Sequence, residues 1–251
     1  MLPYIHAGPL TLGTYGILLV TGLLVAALVL SKDLRRSAIE ADPYAIVGYT
    51  GIAGIIGSRL YSCLETPSEF FANPWSMLFS RSGFTWIGGL IAGFIVLVLL
   101  ARHYRILLLR MMDIAAPAAA IGYGIGRIGC LISGDGDYGT PTSLPWGMSF
   151  PNGIVPTTER VHPTPIYEFL AALAIFYVLW RLGARTMRDD RAIGKVFALY
   201  LILTGVARFF VEFIRLNPRV LFGLTNAQLA SIACVLLGAF LLLRQRRQIA
   251  V

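Results

Sequence analysis

Seven stretches of this 251-residue chain are apolar for about 20 residues each, the length that crosses a lipid bilayer as a helix. They lie at roughly 12–31, 44–62, 85–102, 110–131, 165–183, 195–213 and 226–243. Hydrocarbon offers backbone N–H and C=O groups no water, so each spanning segment must satisfy its own hydrogen bonds and be helical. The expected fold class is therefore an all-α integral membrane protein with seven transmembrane helices. Composition agrees: 57% of residues are hydrophobic and 14% charged, whereas soluble domains carry about a quarter charged. The second and fourth stretches are interrupted by Gly, Ser, Thr and Arg. There is no linker, low-complexity tract or internal repeat, so residues 1–251 are expected to be a single transmembrane domain.

Orientation follows from Lys and Arg, which concentrate on the cytoplasmic side. Lys32, Arg35 and Arg36 form one group, and Arg102, Arg105 and Arg110 a second. Arg181, Arg185, Arg188, Arg191 and Lys195 form a third, and Arg244, Arg246 and Arg247 the last. Alternating crossings bring all four groups to one side. The N-terminus is then outside and the C-terminus cytoplasmic. The opposite connections, about 63–84, 132–164 and 214–225, are rich in Pro, Gly and aromatics. They carry Trp75, Trp86 and Trp146, as interfacial anchors do. The segment about 132–164 is the longest and is expected to form a small extracytoplasmic cap.

Several classes are disfavoured. The net charge of +8 is explained by the cytoplasmic loops, and no basic face interleaved with aromatics points to nucleic acid. Cys63, Cys130 and Cys234 have neither metal-ligand nor CxxC spacing, so no disulfide framework and no metal site are expected. The start MLPYIHAGPL lacks a basic n-region and does not read as a cleavable signal peptide.

Charges inside spans are costly and mark function by default. Here they are Arg59, Asp113, Arg127, Glu168, Arg208 and Glu212, with Arg215 at a span end. The topology puts Arg59, Arg127, Arg208, Glu212 and Glu168 in the outer halves of their helices, with Tyr15, His162 and Tyr167 at the same depth. Only Asp113 belongs to the inner side. Two readings remain open: paired ions that fix helix packing, Arg208 and Glu212 being i,i+4 neighbours, or an anion pocket. Counted as three arginines against two carboxylates, the set favours an anion. The planar guanidinium suits phosphate, and a phospholipid head group is the anion available at that depth.

GIGRIG at Gly124 to Gly129 matches GxGxxG formally, but the strand and βαβ unit of a dinucleotide site are missing. Its glycines fit close helix approach, or room for a head group at the backbone of Gly126 and Gly129. Asp135 and Asp137 are too few to specify a divalent cation.

The segments GRIGCLISGDGDYG, HPTPIYE (His162 to Glu168), RFFVEFIR (Arg208 to Arg215), GSRLY (Gly57 to Tyr61), IGGLIAG (Ile87 to Gly93) and Tyr15-Gly16 together resemble the prolipoprotein diacylglyceryl transferase family. The resemblance covers nearly the whole chain. It implies seven helices, an outside N-terminus and a multi-pass location in the bacterial cytoplasmic (inner) membrane. It also implies an activity in lipoprotein biogenesis: transfer of a diacylglyceryl group from phosphatidylglycerol, an anionic phospholipid, to the lipobox cysteine of a preprolipoprotein, with glycerol phosphate released and no cofactor. By the same resemblance Arg127 and Arg208 hold the phosphate, Tyr15 is the important tyrosine of the first helix, Gly139 closes the signature and Glu212 orients an arginine. Arg59, Gly126, Gly129, Gly139, Tyr167, Glu168, Asp135 and Asp137 complete the expected substrate site.

The chain departs from the family pattern at identifiable points. Ile87 stands where a histidine usually precedes the Gly-Gly of the third helix, and His103 lies at the other end of that helix. Cys130 and Ser133 stand at two asparagine positions, and GDGDYG differs from the usual acidic-aromatic loop. A thiol acceptor must lose a proton, and the candidate bases are His162, Asp135, Asp137 and Glu212. Cys130 reads as a small core residue. The alternatives are a divergent member using another acceptor, and a non-catalytic lipid-binding or transport protein.

Overall fold

The computed structural model describes residues 1–8, 10–78 and 85–249. Residues 79–84 of the expected first outer connection and the side chains of Arg246 and Arg247 lie outside the described residues. By their internal contacts the residues divide into two compact units, Met1–Ile39 with Met112–Val251, and Glu40–Met111.

Six helical segments are long and apolar enough to cross a membrane. They are Thr14–Arg36 (α1), Trp86–His103 (α5), Leu108–Ser133 (α6), Thr164–Thr186 (α7), the segment Asp190–Ile214 around Lys195–Val211 (α8), and Asn226–Gln245 within Asn226–Ile249 (α9). The remaining expected span is also a helix, Pro43–Glu65 (α2), of 23 residues. Its glycines, Ser58, Arg59 and Ser62 keep it outside the apolar set. Two short helices, Pro67–Ala72 (α3) and Pro74–Leu78 (α4), follow it. Three antiparallel hairpins complete the chain: Tyr4–Ala7 (β1) with Leu10–Gly13 (β2), Met148–Phe150 (β3) with Thr157–Val161 (β4), and Arg219–Leu221 (β5) with Leu224–Thr225 (β6). The sequence pattern did not announce them, because each strand is at most five residues long.

In the first unit, α6, α7 and α8 bury a cluster of Ala116, Ala120, Ile175, Leu179 and Val196. Small residues bring neighbouring helices close: a methyl at Gly22 of α1 would sit 3.1 Å from the carbonyl oxygen of Gly122 on α6. One at Gly124 would sit 3.2 Å from Cβ of Ala172 on α7. At the start of α8, Gly194 has φ +89°, in the left-handed region glycine tolerates. No side chain of its own caps this helix. The buried carboxylate of Asp113 on α6 does so instead, accepting from Gly194 N at 2.5 Å and Phe197 N at 2.8 Å. That pairs a buried anion with the positive end of a helix dipole.

In the second unit, α2 starts at Asp42, whose side chain accepts from Tyr44 N at 2.8 Å and Ala45 N at 3.2 Å, with Pro43 at the first helical position. α2 and α5 meet glycine to glycine: a methyl at Gly57 would fall 2.6 Å from Gly88 O, and one at Gly88 2.3 Å from Gly57 O. The GG of IGGLIAG is therefore a packing surface, and Ile87 beside it is exposed.

Candidate active site of the first unit

α6 is the most enclosed apolar helix, with half of its most apolar window buried. It carries Arg127 inward near its C-terminal end. Beyond Ser133 the chain turns through Gly134 (φ +59°) and Gly136 (φ +93°), positions that strain any residue with a Cβ. The cap pins this turn. Val155 N donates to Gly134 O at 2.8 Å and Ile154 N to Ser133 O at 3.0 Å. Tyr138 stacks on Phe150. The segment after the turn then pairs with the end of α8: Thr140 N donates to Ile214 O at 2.8 Å, and Gly139 bridges to Arg215. Asp137 is thereby brought between Arg127 and Arg215.

The result is an alternating ionic cluster. Glu168 of α7 accepts through Oε1 from Arg208 and, at 2.9 Å, from the Tyr123 hydroxyl. Its Oε2 pairs with Arg127 and, at 3.2 Å, with Arg215. Asp137 pairs with Arg127 through Oδ2 and with Arg215 through Oδ1. Glu212 pairs with Arg208 at 2.8 Å and accepts from Asn217 at 2.6 Å and Thr225 at 2.9 Å. The chain bends at this point, α8 giving way to a 3-10 turn over Glu212–Ile214. The turn keeps Arg208, Glu212 and Arg215 on one face.

This corrects the charge count made from sequence. Within the first unit, Asp137 adds a third carboxylate and Arg215 joins Arg127 and Arg208, so three arginines meet three carboxylates. Arg59 lies in the second unit, where it is buried and donates to the carbonyls of Met77 and, at 3.2 Å, Leu78. The balance is not uniform in depth. Side-chain exposure is 3% for Glu168 and 0% for Glu212, but 34% for Asp137 and 29% for Arg208. The open face of the cluster is therefore Arg208 and Asp137. Inside it, Nε of Arg127 is buried without a hydrogen-bond partner among the described residues. A buried orphan donor costs about 1–3 kcal/mol, and an arriving anionic oxygen would relieve it.

The other expected residues fall around this core. The ring of Tyr15 packs on Gly129: a methyl there would approach it to 3.2 Å. A methyl at Gly126, one residue from Arg127, would meet nothing within 4 Å. Gly139 is enclosed, with Ile214 O 2.5 Å from the position of a Cβ. It seats the loop segment that carries Asp137 and leaves no room for a ligand. His162 pairs with the cap side chains: its Nδ1 is 3.2 Å from the Tyr167 hydroxyl, which accepts from Trp146 Nε1 at 2.8 Å. Cys130, 3.4 Å from Nη1 of Arg127, is buried. Burial, with the charge of Asp137 adding to it, pushes the Asp135 carboxyl above its ordinary value, against a hydrogen bond from the Cys130 thiol. Burial also pushes Asp137 up, but Arg127 and Arg215 together outweigh it and hold that carboxyl below its ordinary value. Ligand atoms of Cys130, Asp135 and Asp137 lie within 4.8 Å of one another. The two guanidinium groups on Asp137 would compete with any cation there.

The sequence reading did not include Tyr123, Asn217 or Thr225, and it noted Arg215 only as a charge at a span end. Two signals were available: Tyr123 stands four residues before Arg127, and Arg208, Glu212 and Arg215 follow i, i+4, i+7 spacing. Nothing local marks Asn217 and Thr225.

A family model described as prolipoprotein diacylglyceryl transferase matches residues 3–244. The chain belongs to that family. Relatives named phosphatidylglycerol–prolipoprotein diacylglyceryl transferase include one from Clostridium tetani, 34% identical over 90% of this chain and 90% of the relative. One from Finegoldia magna is 32% identical over 94% and 92%, and one from Leptospira interrogans 28% identical over 92% and 88%. The family resemblance read from the sequence motifs is thus borne out across nearly the full chain.

Proposed function

We propose that this chain transfers the diacylglyceryl group of phosphatidylglycerol to the lipobox cysteine of a prolipoprotein, in the bacterial inner membrane. The observation that carries the reading is the Arg127–Glu168–Arg208 arrangement. Glu168 holds two arginines by opposite carboxylate oxygens, leaving Arg208 partly open and Nε of Arg127 without an acceptor among the described residues. In the transfer, the peptide thiolate attacks the glyceryl carbon bearing the phosphate. A carbon–sulfur bond forms, the carbon–oxygen bond breaks, and the electron pair leaves with glycerol phosphate. The phosphate goes from one negative charge to two as it departs, and arginines fixed beforehand stabilise that growing charge. The thiol proton needs an acceptor, and Asp135 is the carboxyl whose burial raises its proton affinity. Tyr15, Gly126 and Gly129 form the wall on which the head group rests, and Tyr167 with His162 lies at the cap side.

Topology belongs to the same proposal. α2 serves as a seventh span, and the whole chain acts as one transferase domain. Basic residues end α1, α5 and α7, which supports a cytoplasmic location for those ends and an outside N-terminus. Purified protein incubated with phosphatidylglycerol and a lipobox peptide should yield the diacylglyceryl thioether by mass spectrometry. An unmodified peptide, in an assay where a relative modifies it, would overturn the proposed acceptor.

A further inference from the structure

We propose that Asp137 is a displaceable counter-ion: it holds Arg127 and Arg215 in position before the donor arrives and yields them to the donor's phosphate. The inference rests on an anionic phosphate-bearing donor, as proposed above. Its starting point is charge. The cluster of Arg127, Arg208, Arg215, Asp137, Glu168 and Glu212 is balanced. An arriving phosphodiester adds a negative charge in a partly desolvated site, where like charges repel strongly. One carboxylate must therefore leave the arginines.

Three observations single out Asp137. Glu168 and Glu212 are 3% and 0% exposed, and each is held by further donors, Tyr123 for the one, Asn217 and Thr225 for the other. Removing either from its partners would strand a charge away from water, whereas Asp137 is 34% exposed and can turn its carboxylate into solvent. Next, its two oxygens engage one guanidinium each. Guanidinium groups pair with phosphate oxygens as they do with carboxylate oxygens, so a phosphate can take the same two arginines. Finally, its backbone is fixed. Its carbonyl accepts from Thr164 Oγ1 at 2.5 Å, and the neighbouring Gly139 and Thr140 pair with Arg215 and Ile214. A side-chain rotation alone therefore opens the site, without moving the arginines. Asp137 acts on the reaction through Arg127 and Arg215, which makes it a positioning residue.

The test is Asp137→Asn, which keeps the shape and removes the competing charge. Binding of dioleoylphosphatidylglycerol micelles, glycerol 1-phosphate and inorganic phosphate is measured alongside steady-state transfer. The expected result is an about tenfold lower Kd for each phosphate-bearing probe, as for removal of one opposing charge. KM for phosphatidylglycerol falls with it and kcat does not rise, while Asp137→Glu keeps KM near the wild-type value. An unchanged or raised KM and Kd in folded Asp137→Asn overturns the proposal. Should that variant fail to fold, a structure of the wild type with phosphatidylglycerol decides. Asp137 swung away from both arginines supports the inference, and Asp137 still bridging them overturns it. Absence of phosphatidylglycerol binding in the wild type would remove that lipid as donor. Asp137→Asn must even then tighten inorganic phosphate, and unchanged phosphate affinity sinks the counter-ion.

Discussion

Arg208 and Glu168 share an ion pair whose two partners see different solvent: the arginine side chain is 29% exposed and the glutamate 3%. Substitution of either is therefore expected to have a different outcome. Arg208→Gln leaves Glu168 with Arg127, Arg215 and Tyr123. It should lower kcat by about two to three orders of magnitude, the usual loss for one group that stabilises developing charge. The thermal midpoint in detergent should fall less than for Glu168→Gln, because Glu212 keeps Asn217, Thr225 and, at 3.9 Å, Arg215. Glu168→Gln removes the anion on which three arginines converge. It should cost about 3–5 kcal/mol of stability, read as a large drop in the thermal midpoint.

The glycines of the signature should separate into two kinds. Gly126→Ala meets no neighbour within 4 Å, so stability should be unchanged within about 0.5 kcal/mol. KM for phosphatidylglycerol should rise, because the added methyl takes up space beside Arg127. Gly139→Ala drives a methyl to 2.5 Å from Ile214 O. It should destabilise the cap and lower expression before any kinetic effect can be read. Parallel melting curves and KM values check both.

Asp135 gives a pH-dependent prediction. Its folded proton affinity is raised, chiefly by burial, so the native state binds the proton more tightly than the unfolded chain. Below the ordinary aspartate value of about 3.9 both states are protonated and the residue is neutral to stability. As pH rises from there through the folded value, stability is lost. Asp135→Asn should therefore raise the thermal midpoint at neutral pH, with a gain that shrinks as pH falls toward about 4. Transfer activity should fall if the carboxyl takes the thiol proton. A gain independent of pH would contradict the assignment.

Asp113 should prove structural. It caps α8 through Gly194 N and Phe197 N, far along α6 from Arg127. Asp113→Ala exposes two helix N–H groups to an apolar interior and should cost about 1–3 kcal/mol. The KM of the protein that remains folded should be unchanged.

The long helices were legible in the sequence because each is a local property: a run of apolar residues long enough for the bilayer must be helical. The expected 110–131, 165–183 and 226–243 correspond to helices at Leu108–Ser133, Thr164–Thr186 and Asn226–Ile249. The exception was apolarity: α2 is a helix of the right length, but its small and polar residues serve contact with α5. The hairpins were not legible, because strands of two to five residues have too short a period to stand out.

The cluster was only partly legible. Arg127, Glu168, Arg208 and Glu212 could be named because a charge in an apolar run is conspicuous wherever it lies, and alternating crossings assign it a depth. Depth does not give a partner. Asp137 sits in a loop where acidic residues are ordinary. Its position between Arg127 and Arg215 depends on two left-handed glycines, on the cap that pins the turn, and on the pairing of Gly139 and Thr140 with Arg215 and Ile214 just beyond α8. Likewise Arg59 shared the expected depth and yet belongs to another unit. The sequence by itself determined a helical membrane protein and the charges it must hide, since burial of a charge is costly at any position along the chain. Only the tertiary structure decided which charge meets which, because ion pairing depends on distances of a few ångströms that separate residues tens of positions apart.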